Sequence, residues 1–124
     1  MTKRDATKDI ANAVSLATKQ HKRILLDVGG DWRHWCLLLN TMFKADKEVA
    51  RTLAERYVVV HVNWSTENEN RAVLSKYPKV ESFPHLFVLE KYGKLIRSQD
   101  TGALESGDHH DHAKVMAFLR KRAP

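Results

Sequence analysis

The stretch Gly29-Gly30-Asp31-Trp32-Arg33-His34-Trp35-Cys36 holds the only cysteine of the chain and directly follows the apolar run Ile24-Leu25-Leu26-Asp27-Val28. A short branched run, a glycine pair and an aromatic-rich segment opening a helical pattern is how a strand delivers a reactive group to a helix N-terminus. One thiol permits little there. No internal disulfide can form, so a dithiol–disulfide cycle is excluded, and cysteine pairing says nothing of compartment. Cys36 itself is expected inside the helix, away from the positive end of the dipole, where a thiol stays protonated and packs as a small apolar side chain.

Other polar groups surround this stretch. A cation such as Arg33 at a helix N-terminus is unfavourable by about 0.3–1 kcal/mol, so helix stability does not explain it. Beside backbone N–H groups it would help hold a carboxylate or phosphate; the alternative is an arginine reaching into water. Asp27 interrupts one apolar run and His61 the next, Val58 to Val62, so that on neighbouring strands the two would form a buried charge-assisted pair. There are seven histidines. His109, His110 and His112 cluster with Asp108 and Asp111, and His34, Cys36 and His85 are a second set that only the fold could bring together. Neither set has the spacing of a closed zinc site, so neither a metal nor a cofactor is expected, and the cluster at His109 to His112 reads as solvated.

The elements that must position these groups follow from periodicity. A helix runs from about Thr7 to Lys22 with Ile10, Val14 and Ala17 on one face. Ile24 to Val28 is a buried strand. Trp35, Leu38, Leu39 and Met42 then fall at helical spacing with Asp31 available as a cap, and a further helix spans Asp46 to about Tyr57 around Val49 and Leu53. Val58 to Val62 is the next strand. Asn63 to Asn68, with Trp64, reads as a polar loop, and Glu69 to Tyr77 as a short helix stopped by Pro78. Leu86–Leu89 and Lys94–Arg97 are strands joined through Glu90–Gly93, Gly102 to Gly107 is loop, and a last helix capped by Asp111 turns Val115, Phe118 and Leu119 inward. The order implies a parallel pair joined by helices, followed by an antiparallel hairpin: an α/β fold with a mixed central sheet and helices on both faces.

The 124 residues suit a single domain spanning 1–124, and 43% hydrophobic with 29% charged residues is ordinary globular composition. No apolar run approaches membrane-spanning length, and the opening Met1-Thr2-Lys3-Arg4 is not followed by the apolar core of a signal peptide. The expected chain is cytoplasmic, or periplasmic if it is the mature part of an exported protein. The net charge of +6 is scattered rather than gathered on an aromatic-laced stripe, so neither nucleic acid nor membrane is an expected partner, and oligomeric state stays open.

Asp27, then Asp31-Trp32, then Trp35-Cys36, with Ser82-Phe83-Pro84-His85 ahead of a strand, resembles the thioredoxin superfamily, in particular the branch whose active site reads Asp-Trp-Cys-x-Trp-Cys and whose members are often exported bacterial thiol-disulfide interchange proteins. The likeness spans nearly the whole chain and implies a three-layer thioredoxin-like sandwich. It places Trp32 at the family's tryptophan, Cys36 at its second, resolving cysteine, Asp27 at its buried acid and Pro84 at its cis proline. It also implies that the backbone before Pro84 pairs with an extended substrate. Arg33 stands where the family has its attacking cysteine. Two functions follow. One is a redox-inactive or atypical module that binds a peptide, a protein segment or a small anion such as glutathione through Trp32, Arg33, His34, Trp35, Phe83 and Pro84. The alternative is a monothiol oxidoreductase or isomerase-like enzyme acting through Cys36 with an external thiol, Asp27 serving as proton acceptor.

Overall fold

Alternation along a single strand divides this molecule into two cores. The computed structural model describes residues 6–29, 34–63, 74, 76–78, 80 and 83–124. Strand β1, Arg23–Gly29, is fully covered from Ile24 to Val28. Because successive side chains of a strand point to opposite faces, Ile24, Leu26 and Val28 join one apolar cluster and Leu25 joins another.

The first cluster is closed by α1, Ala6–Gln20, whose Ala13 and Ala17 pack directly on the sheet with Ile10 and Val14 beside them. Small residues let this helix lie close. It ends at His21, which takes a left-handed conformation while the Lys22 N–H returns to the Ala17 carbonyl. The second cluster lies under α2, His34–Ala45, and α3, Lys47–Arg56, with α4, His112–Arg122, which supplies Val115, Met116, Phe118 and Leu119.

Strand β2, Tyr57–Asn63, runs parallel to β1; β3, His85–Leu89, runs antiparallel to it and pairs in turn with β4, Leu95–Asp100. The order β2-β1-β3-β4 is the mixed sheet expected, with helices on both faces. Gly93, at φ +97, makes the β3–β4 turn. Tyr57, placed at the end of a helix by its spacing, instead opens β2, where its hydroxyl donates to the Leu119 carbonyl at 2.6 Å. Of the proposed loop Asn63–Asn68 and helix Glu69–Tyr77, only Asn63, Leu74, Lys76 and Tyr77 lie within the described residues.

The segment from Gly102 to Gly107 is not plain loop. Thr101–Leu104 forms a 3-10 turn, and β5, Glu105–Ser106, pairs with β6, His109–His110, as a two-stranded ribbon set against α2. Asp111 caps α4 as expected, accepting from Lys114 N–H at 2.9 Å.

One polar clamp joins α3 to α4. Asp46, the N-cap of α3, accepts from the N–H groups of Glu48 and Val49 and also meets His112 Nδ1, while His112 Nε2 lies 2.8 Å from Glu48 and Arg120 lies 2.6 Å from the same carboxylate. Two carboxylates can be satisfied by one imidazole only if both ring nitrogens donate, which requires the charged form. The hydrogen bonds to Asp46 and Glu48 accordingly raise the His112 pKa above 6.5. A raised folded-state value means that the clamp stabilises the fold fully below pH 6.5 and fades as pH rises through that higher value. The thermal midpoint is therefore expected to fall over this alkaline-going window in the native chain and to lose that dependence in His112→Ala. Identical pH profiles for the two proteins would sink the assignment.

Candidate functional site

Cys36 is the third residue of α2 and only 3% exposed. It shares a stripe with Leu39 and Phe43, at helical spacings of three and four, so the thiol faces the core with them. The last residue of β1 lies against it. A Cβ built on Gly29 would stand 2.5 Å from Cys36 Sγ and 3.7 Å from Pro84 Cα. Strand β1, helix α2 and the start of β3 thus meet around an atom that Gly29 lacks. Pro84 is buried, its peptide bond to Phe83 is cis, and its carbonyl accepts from Thr101 Oγ1 at 2.7 Å.

Asp27 lies two residues before Gly29 on the same face of β1, at 5% exposure. Register places it opposite His61, as two neighbouring strands required. His61 Nδ1 approaches Asp27 Oδ2 to 3.2 Å without making a hydrogen bond, and that oxygen has no hydrogen-bond partner among the described residues. The pair also differs from the buried one expected: the His61 side chain is 57% exposed, because β2 is the edge of the sheet.

His34, Cys36 and His85 do not come together. Parity along β3 sends His85 to the opposite face from Cys36, onto the α1 side with Phe87, whose ring lies 4.9 Å away. There His85 Nε2 bonds Ser98 Oγ at 2.7 Å, and burial lowers its pKa against the pull of Asp100. Among the described residues no group of three or more histidine, cysteine or carboxylate side chains is arranged to hold a metal ion.

The aromatic residues expected to line one groove lean apart. Phe83 packs with the α1-side cluster. Trp35 leans the other way, edge-on to His110 of the ribbon at 5.2 Å and 80°, with the exposed His34 on its other flank at 6.0 Å. His110, taken as solvated in sequence, is 4% exposed: the ribbon lays it against α2. A two-residue strand is too short for alternation to reveal this. Trp32, Arg33 and the capping role of Asp31 fall outside the described residues.

A family model described as thioredoxin-like matches residues 5–91. The chain belongs to this thioredoxin-like family. Its fold is similar to that of a disulphide isomerase from Xylella fastidiosa, at 21% identity and TM-score 0.82, covering 98% of this chain and 93% of that one. A thioredoxin from Thermus thermophilus aligns at 23% identity and TM-score 0.66 over 90% of this chain and 81% of its own. The DsbD C-terminal domain of Neisseria meningitidis, in the oxidised form, aligns at 16% and 0.68 over 95% and 96%. No curated protein sequence matches the chain. Among the described residues no helix is long and apolar enough to cross a membrane.

The contact at Gly29 has a direct test. Gly29→Ala is expected to destabilise the fold by about 1–3 kcal/mol, since the new methyl must displace a sulfur buried between β1 and α2. Adding Cys36→Ala should recover most of the loss, measured by denaturant unfolding of the four proteins of the cycle. Simple additivity would show that the sulfur is not what the methyl meets.

Proposed function

We propose that this chain is a thioredoxin-fold binding module that has lost dithiol exchange and takes an extended peptide or a small anion at the former active site. The observation that carries the reading is the state of its one thiol: Cys36 is covered on the strand side by Gly29 and is only 3% exposed. A thiol so placed is a poor nucleophile, because attack on a disulfide needs both a thiolate and an open line of approach. Arg33, at the family's attacking position, carries a fixed charge and no sulfur. A guanidinium pairs well with a carboxylate or phosphate, and the backbone just before Pro84, where the family likeness puts substrate pairing, would hold an extended chain.

The probe is an acidic, extended peptide followed by NMR. Shifts centred on Gly29, Cys36 and Phe83 are expected, unchanged in Cys36→Ser and weakened at least about tenfold in Arg33→Glu, a loss of about 1.4 kcal/mol. In an insulin-reduction assay the native chain should be silent. Turnover that Cys36→Ser abolishes would overturn the proposal in favour of monothiol chemistry with an external thiol. The reverse substitution, Arg33→Cys, is expected to create a reducible pair with Cys36 and measurable insulin reduction; a folded variant that forms no disulfide would show that the two positions no longer face each other.

A further inference from the structure

His110 is the least explained side chain in the molecule. It is 4% exposed, yet among the described residues neither Nδ1 nor Nε2 has a hydrogen-bond partner. A neutral imidazole carries one donor and one acceptor, and buried polar atoms of this kind are nearly always paired. What His110 does have is Trp35: the two rings meet edge to face at 5.2 Å and 80°. The ribbon that carries it is slight, two residues to a strand, and is tied at its base by the Asp111 N–H to the Leu104 carbonyl at 2.7 Å. Trp35 in turn immediately precedes Cys36, so the ribbon bears on the first turn of α2.

We propose that His110 is a positioning residue for this side of the site: as a neutral ring it holds the Trp35 indole in place, and on protonation it leaves its pocket and frees the indole. The charged groups around it fit this role. Burial lowers the His110 pKa below 6.5; Glu105, which faces it across the ribbon, and Asp27 on β1 pull the other way, and His109 beside it adds to the lowering. The first turn of α2 brings no carboxylate to it. Inside, an imidazolium keeps the pull of Asp27 but makes no hydrogen bond among the described residues, whereas outside, water and Glu105 can accept its protons. The sign follows from the lowered value: the closed arrangement is complete above pH 6.5 and weakens as pH falls below it, the reverse of the His112 clamp. Loss of ligand binding in acid is a consequence that rests on the binding function proposed above.

The test uses the full chain without ligand. The indole N–H signal of Trp35, assigned by its loss in Trp35→Phe, is followed from about pH 8 to about pH 5 beside the ring carbon signals of His110. The two should move with one midpoint, below 6.5. In His110→Phe, which keeps a flat ring and removes the titration, the indole signal should stay put over the same range. An indole that titrates with another midpoint, that does not move in the native chain, or that still titrates in His110→Phe overturns the inference, and should that variant not fold, the native titration decides alone. Acidic-peptide binding is measured at the two ends of the range: a peptide that binds at neutral pH and equally in acid removes the functional consequence, whereas one that binds at neither overturns the binding function and leaves the indole result standing.

Discussion

Everything at the candidate site depends on the contact between Gly29 and Cys36. Three segments converge where a single Cβ would not fit: the end of β1, the first turn of α2 and, from much later in the chain, the start of β3 at Pro84. The thiol serves there as the packing group of a helix–sheet junction, at the head of the stripe that continues through Leu39 and Phe43. A close-packed interior tolerates neither an added methyl nor an idle gap, so the sulfur is held by the same force that docks α2. Its burial is thus a property of the fold's assembly.

The sheet also sorts the polar groups. Asp27 and Cys36 share one face with α2 and α4, while His85 and Phe83 belong to the α1 face. Between the two lies a layer of backbone and fully covered side chains, which keeps His85 from reaching Cys36 as ligand or base. His61 is the only one of these partners that touches Asp27, and it does so from the solvent edge. An exposed histidine beside a buried carboxylate is a weak clamp, because water competes for it.

Most of this architecture was legible in sequence because it rests on long periodic signals. The branched run Ile24–Val28, the heptad-like placing of Val49 and Leu53, and the inward Val115, Phe118 and Leu119 each report a face that must be buried whatever the partner. Asp111 could be read as a cap from its type and place alone. The misplacements of His85 and of the ribbon have a different origin. The parity of His85 depends on where β3 begins, and a shift of one residue sends the side chain through the sheet. The ribbon at Glu105–His110 is too short for any pattern, and its burial is imposed by α2, some seventy residues earlier in the chain. Tertiary packing, not composition, turned a polar His-rich segment into part of the interior.

This last point bears on what the site can recognise. Its described parts form two flanks rather than one aromatic groove, with Phe83 leaning to the α1 side and Trp35 to the ribbon, and Gly29, Cys36 and Pro84 forming the seam between them. The Phe83 flank is anchored in a large apolar cluster and has little freedom. The Trp35 flank rests on an imidazole that has no hydrogen-bond partner among the described residues and is carried by a two-residue strand. Regions with few buried contacts and short ladders open at low free energy, and binding surfaces are commonly drawn from them. A ligand lying along the seam would therefore meet one rigid wall and one yielding wall, and selectivity among ligands would come chiefly from the rigid one.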